Sequence, residues 1–318
     1  MQWGKPLLRE ERLMTLPPFP PAHGTPLMLE PDLRLVLAPN PSPMTYWGTN
    51  TYILGTDALA VIDPGPDSDA HLEALLSCQT GGARITHILV THAHKDHSPL
   101  AARLSRETGA AIYAFGPAHA GESETMQALR AAADVGGGEG IDPTFQPDHI
   151  LADGESLQIG DHHVTALWTP GHLSNHMCFV SGDRLFSGDH VMEWATSLIS
   201  PPDGDLAAFM ASCRRLLEHD HRIYYPGHGT PVTAPRARVE TLLAHRQKRE
   251  GDILKQLKTT GGSAAELAAR IYTDVDPALL PAASRNVLAH LIDLAQKGRV
   301  THADPLAEDT VFHVSENP

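Results

Sequence analysis

A chain of 318 residues allows about two domains and a core of useful size without disulfide support. No apolar run approaches the ~20 residues that cross a bilayer, and three widely spaced cysteines, Cys78, Cys178 and Cys213, exclude a disulfide scaffold. The net charge of −14 resides in residues 1–235, with 13 basic against 27 acidic side chains, while residues 236–318 balance at 11 of each, so an acidic body opposes non-specific capture of nucleic acid.

The charged start, Met1 to Arg12, lacks the apolar stretch of a secretory leader, which predicts a cytoplasmic protein in a reducing compartment. Residues 1–45 are Pro-rich, with Pro17-Pro18-Phe19-Pro20-Pro21, and read as an irregular arm on the surface. Strands are expected at Thr51–Leu54 and Ala58–Ile62, the second stopped by Asp63-Pro64-Gly65-Pro66-Asp67. A helix from His71 to Cys78 precedes a buried strand at Arg84–Val90, and Ser98-Pro99 supplies a cap and first-turn proline for a helix to about Glu107. Gly136 to Gly140 marks a loop after a further helix. Strand signals return at Ser156–Ile159, Val164–Trp168, His176–Val180 and Arg222–Tyr225, with a helix at Leu206–Leu217 among them. Alternating strand runs and helices make residues 1–235 a layered α/β domain. Pro231 and Pro235 bracket a boundary, after which residues 236–318 carry a long helix from Arg236, a second opened by the capping box Ser263-Ala-Ala-Glu266, and a third opened by Ser284. Gly298–Thr301 and Thr310–Val314 pair as a hairpin, and the whole resembles a winged-helix module.

Chemistry concentrates in Thr91-His92-Ala93-His94-Lys95-Asp96-His97, directly after the buried strand. On such a loop His92 and His94 point one way while Asp96 and His97 turn toward a second centre, and imidazole and carboxylate are zinc's preferred ligands. His172 in Thr169-Pro-Gly-His172, Asp189 in Phe186-Ser-Gly-Asp189 and His228 in Pro226-Gly-His228 each stand just past a strand signal, with a glycine before them that lets the backbone bend. His71, His87, His119, His149, His162 and His163 lack ligand spacing and read as surface or structural. Asn50 and Met192 read as cleft-lining, Tyr52 and Trp194 as core. No nucleophile-elbow serine is present.

In this order, Asp63, His92/His94/Asp96/His97, His172, Asp189 and His228 resemble the metallo-β-lactamase superfamily from about Asn50 to Thr230. Gly48-Thr-Asn-Thr-Tyr52, Thr91-His-Ala-His-Lys-Asp-His-Ser-Pro99, Thr169-Pro-Gly-His-Leu-Ser-Asn-His176 and His245-Arg-Gln-Lys-Arg-Glu250 look like its beta-lactamase-like protein 2 group. The resemblance implies an αββα sandwich, with a small C-terminal winged-helix-like domain. It implies a first divalent ion on His92, His94 and His172, a second on Asp96, His97 and His228, Asp189 bridging the two, and Asp63 orienting a ligand from behind. Zinc leads, and histidine and carboxylate ligands suit iron and manganese as well.

The expected activity is hydrolysis in which a metal-bridging hydroxide attacks the carbonyl of a small ester, thioester or lactone, with Asp96, Asp189 and His228 in the catalytic machinery. The alternative is a single-stranded RNA endonuclease using the same hydroxide, for which Arg246, Lys248 and Arg249 are the candidate phosphate contact. A non-catalytic DNA-binding regulator is the third reading; it lacks a basic recognition helix, since Ser284–Lys297 carries only Arg285 and Lys297.

Overall fold

The computed structural model describes residues 19–132, 135–138, 140–274 and 276–315. In chain order the elements are β1 (Leu27–Glu30), β2 (Leu33–Leu37), β3 (Asn50–Leu54), β4 (Ala58–Ile62), α1 (Asp69–Leu76), β5 (Arg84–Leu89), α2 (Leu100–Thr108), β6 (Ala111–Ala114), α3 (Glu124–Ala132), β7 (His149–Ile150), β8 (Ser156–Ile159), β9 (His162–Trp168), β10 (Met177–Ser181), β11 (Arg184–Gly188), α4 (Leu206–Leu216), β12 (Ile223–Pro226), α5 (Pro235–Thr259), α6 (Ala264–Ile271), α7 (Leu280–Gln296), β13 (Val300–Thr301) and β14 (His313–Val314).

Strands β1 to β7 form one sheet in sequence order, and a second sheet runs β12-β11-β10-β9-β8. The layering follows from two-residue periodicity. Leu35, Tyr52, Leu54, Ala60 and Ile62 turn one way and meet Phe179, Phe186 and Tyr225 of the second sheet. Their neighbours Val36, Ile53, Leu59 and Val61 turn the other way, onto Leu72 and Leu75 of α1 and Leu100 and Leu104 of α2. On the far side Cys178, Leu185 and Tyr224 face Phe209 and Leu216 of α4 and Val239 and Leu242 of α5. Both strands and helices are thus sorted into an αββα sandwich. The C-terminal half of α5 (Ile253, Leu257) joins α6 (Leu267), α7 (Val287, Leu291) and Phe312 in a separate core that also takes Met126 and Leu129 of α3. With the β13–β14 pair, this is the small winged-helix-like element.

Three expectations are corrected. Residues 27–37 are not irregular: Leu27, Leu29, Leu33, Leu35 and Leu37 alternate about a Pro31-Asp32 turn, and β2 pairs along the whole of β3. The arm read over residues 1–18 lies outside the described residues, as does Glu139 of the glycine-rich loop. Ser98 does not cap α2; its hydroxyl donates to His94 O and to Asp142 Oδ2 instead. The last helix starts at Leu280, four residues before Ser284, with Pro281 in its first turn. No helix among the described residues is long and apolar enough to cross a membrane.

Candidate metal centre

Five strand ends open on the same edge of the sandwich. Asp63 follows β4, Thr91 to His97 follow β5, His172 follows β9, Asp189 follows β11, and His228 follows β12. Asp63 itself sits at φ 53°, in the left-handed region. Its backbone is over-determined there: Asp63 N donates to Leu89 O at 2.9 Å and its carbonyl accepts from Thr51 Oγ1 at 2.7 Å. At Gly227 the requirement is space, because a Cβ would lie 2.4 Å from Asp189 Oδ1 and 2.6 Å from a His97 ring carbon.

The side chains converge in two adjacent groups, His92, His94 and His172 in one, Asp96, His97, Asp189 and His228 in the other. In the first, His94 Nδ1 lies 2.9 Å from His92 Nε2 and 3.1 Å from His172 Nε2. Nitrogens bound to one zinc at 2.0–2.1 Å in a tetrahedron stand about 3.3 Å apart, so this triangle has the dimensions of a metal face. In the second, His97 Nε2 and His228 Nε2 are 3.3 Å apart, and Asp96 Oδ2 is 3.1 Å from His228 Nε2. Asp189 reaches both: its Oδ1 is 3.5 Å from His97 Nε2, and its Oδ2 is 3.4 Å from His228 Nε2 and 3.7 Å from His172 Nε2. Asp189 Oδ1 is buried with no hydrogen-bond donor. An orphaned carboxylate oxygen among converging imidazoles is a donor set built for divalent cations.

The outward ring nitrogens fix which nitrogen is left for an ion. Thr91 Oγ1 gives its proton to Asp63 Oδ2 at 2.8 Å, so His92 Nδ1–H donates to that hydroxyl at 2.9 Å. His97 Nδ1–H donates to Asp63 Oδ2 at 2.9 Å, His172 Nδ1–H to Leu198 O at 2.8 Å, and His228 Nδ1–H to Gly48 O at 3.1 Å. Nε2 is therefore the inward nitrogen of all four, the one that ligation needs once it is free of a proton.

Electrostatics divide the two groups. Burial, reinforced by neighbouring imidazoles, holds His92 well below the ordinary histidine value, and His94 falls to about 3. Burial pulls on His97 and His228 too, but carboxylates overcome it: Asp96, Asp189 and Asp63 hold His97 well above the usual range, and Asp189 and Asp96 raise His228 to about 9. Burial likewise opposes ionisation of Asp96 and Asp189, and the His97 and His228 charges keep both carboxyls well below the usual range.

Several contributors were not read from the sequence. Thr91 locks Asp63 to His92, and Thr91 N also donates to Asp63 Oδ1 at 2.7 Å. His71, read as structural, is fully buried and donates Nε2–H to Thr51 Oγ1 at 2.8 Å, propping the Asp63 turn from behind. Asn50 is corrected: it is buried and off the cleft, tying β3 to the His228 turn through Pro226 O at 3.0 Å and Gly229 O at 2.9 Å. Trp194 is corrected in the other direction, being 36% exposed and stacked on Tyr46 at 4.7 Å at the mouth of the site. Tyr52 is core, against Phe186 and Tyr225.

Beside His172 and Asp189 lies a cleft of about 310 Å³. Met44, Met192, Trp194 and Leu198 wall one side, and Tyr272, Leu279 and Ala283 the other. Among the described residues Arg246 is its one arginine or lysine, and as a candidate phosphate contact it is already committed: it is 3% exposed, donates to Asn286 Oδ1 and Ser197 O, and lies over the Phe209 ring. Arg249 stacks on Tyr272 at 4.0 Å. Lys248 is exposed.

Comparison with known proteins places these features in a family. The model of the metallo-beta-lactamase superfamily matches residues 44–228, and that of the beta-lactamase associated winged helix domain matches residues 263–307. A beta-lactamase-like protein 2 homolog of Drosophila melanogaster is 29% identical over 279 residues, 83% of this chain and 88% of its own. An atrochrysone carboxyl ACP thioesterase of Cryptosporiopsis is 30% identical over 254 residues, 77% of this chain and 67% of its own. Among solved structures, a metallo-beta-lactamase family protein of Thermus thermophilus superposes with a TM-score of 0.72 at 26% identity, covering 90% of this chain and all of its own.

Proposed function

This chain belongs to the metallo-beta-lactamase superfamily, and from that premise we propose that it hydrolyses an ester or thioester of a small substrate with an apolar acyl group. His92, His94 and His172 would hold one divalent ion, Asp96, His97 and His228 a second, with Asp189 shared; zinc is the ion we propose. Ions held there supply a water acidified toward neutral pH and a Lewis acid for the carbonyl oxygen. The chain supplies the rest. Asp63 and Thr91 fix the ring planes, Asp96, the more exposed of the two carboxylates, orients the attacking water, and His228 stands beside the developing oxyanion.

The observation that carries the substrate class is the cleft lining. An apolar trough leads to the proposed ligands, and Arg246, its one arginine or lysine among the described residues, is committed to Asn286 and Ser197. A polynucleotide needs a row of free cations along its backbone. The trough offers apolar area to an acyl chain and few groups to a phosphate. The thioesterase relatives support the thioester reading, and single-stranded RNA, the alternative substrate read from the sequence, stays in the test. Purified protein loaded with zinc is offered acyl thioesters, aryl esters, lactones and single-stranded RNA, with and without chelator. Chelator-sensitive thioester or ester turnover without RNA cleavage is expected. RNA cleavage with no ester or thioester turnover overturns the reading.

A further inference from the structure

Residues 191–201 cross the metal edge without a strand or helix, so their backbone carbonyls need partners from elsewhere. Four of those partners come from α5 and α7. Arg238 donates to Met192 O and Ala195 O, both at 2.7 Å, Arg246 to Ser197 O, and Arg285 to Pro201 O. Asn286 closes the set: its Oδ1 accepts from Ile199 N at 3.1 Å and from Arg246 Nη1 at 3.0 Å. Among the described residues none of Arg238, Arg246 and Arg285 has a carboxylate within ion-pair distance, so these guanidinium groups are spent on the segment's carbonyls and on Asn286, Phe209, Ser200 and Val135 O.

Inside that segment lie contacts to two metal ligands. Leu198 O orients His172 through Nδ1 at 2.8 Å. Ser197 Oγ donates to the backbone carbonyls of Asp189, at 2.5 Å, and His190, at 2.9 Å. The other ligands are held differently: the outward nitrogens of His92, His97 and His228 end on Thr91, Asp63 and Gly48, all of them in the sandwich. The support of the centre is therefore asymmetric.

We infer that Arg246 and Asn286 are positioning residues of the metal centre, setting His172 and Asp189 through the backbone of residues 197–199. The inference rests on the binuclear reading above. The winged-helix-like element then walls the cleft and also completes the first ligand group, touching the second only through the shared Asp189, while His97 and His228 are held by the sandwich. A simple interdomain clamp would leave the two groups equally affected when it is loosened.

Cobalt(II) titration of chelator-stripped protein tests this through absorbance, with the His94→Ala and Asp96→Ala variants identifying which band belongs to which group. Wild type takes up two ions. Asn286→Leu removes the shared acceptor at similar size, and Arg246→Lys keeps the charge but loses the two-pronged grip. Either variant weakens cobalt at the His92/His94/His172 group by about tenfold or more, and weakens the other group less. Asn286→Asp, which keeps an acceptor for Ile199 N and Arg246, restores the wild-type affinity. Unchanged affinities in both variants, or equal losses at both groups, overturn the inference. Fewer than two ions on the wild type instead sinks the binuclear reading, and the inference with it.

Discussion

Asp63→Asn isolates the tautomer argument with almost no change in shape. Asparagine is among the residues that tolerate the left-handed backbone found at this position. The carboxylate accepts three hydrogen bonds, from Thr91 N and Oγ1 and from His97 Nδ1. An amide offers one oxygen and one NH2, so whichever way it is turned a donor faces a donor. With the NH2 toward His97, the imidazole escapes only by moving its proton from Nδ1 to Nε2, the nitrogen that faces Asp96, Asp189 and His228. With the NH2 toward Thr91 N, a buried backbone donor is stranded. Leaving such a donor unpaired costs about 1–3 kcal/mol, and loss of a group behind a metal ligand typically weakens binding 10–100-fold, the same range at about 1.4 kcal/mol per decade. Competition titration against a chromophoric chelator should therefore show the second ion bound about 10–100-fold more weakly, with the first ion affected less. Asp63→Asn protein that holds both ions at wild-type affinity would refute the assignment of tautomers and of Asp63's role.

Four further outcomes are expected. Asp189→Ala should lose metal from both groups, read by elemental analysis after dialysis, since Asp189 alone reaches His172, His97 and His228. Gly227→Ala should fold with ordinary backbone geometry yet lose metal and activity at least tenfold, because its methyl would displace Asp189 and His97. Trp194→Ala should lower kcat/KM about tenfold for long-chain acyl thioesters while leaving acetyl thioesters near wild type, given its place at the cleft mouth. Burial lowers His71 to about 4 in the folded protein, against an ordinary value near 6.5, so the unfolded chain binds the extra proton first. Its contribution is present above pH 6.5 and is lost as pH falls toward 4, about 3 kcal/mol in all at 1.36 kcal/mol per unit; urea unfolding of His71→Asn should show a correspondingly flatter pH dependence.

The convergence of the seven proposed ligands was legible because each follows a strand end, marked by an apolar run before it and, for His172, Asp189 and His228, by a glycine. The layered α/β order was legible in the succession of strand runs and helices, and the sandwich through the family resemblance, since β3 and β4 are buried throughout and show no polar alternation. What escaped has a physical reason. Leu198 O and Gly48 O act through backbone carbonyls, which every residue owns, so no side-chain pattern announces them. Arg246 was grouped with Lys248 and Arg249 as a candidate phosphate contact because the three charges are close in sequence; only the tertiary packing of α5 against α4 and α7 shows that Arg246 is buried. The β1–β2 hairpin was obscured by the prolines preceding it, although Leu33, Leu35 and Leu37 carry the alternation plainly. Trp194 was read as core, whereas it stacks on Tyr46 and is 36% exposed.

The five strand ends that supply Asp63 and the ligands come from both sheets, and His97 and His228 are 131 positions apart in the chain. No hairpin or single βα unit can assemble this ligand set; loop closure on that scale must come first, and contacts of such sequence separation form slowly. The order of events in folding is thereby constrained. An early intermediate holding only the first sheet has His92, His94, Asp96 and His97 but neither His172, Asp189 nor His228. On the proposed ligand set, full metal affinity would emerge only in the step that joins the sheets, and the binding free energy would be delivered to that step. A divalent ion would act on this chain as a late ratchet, penalising separation of the sheets while leaving the rate at which each sheet first forms untouched.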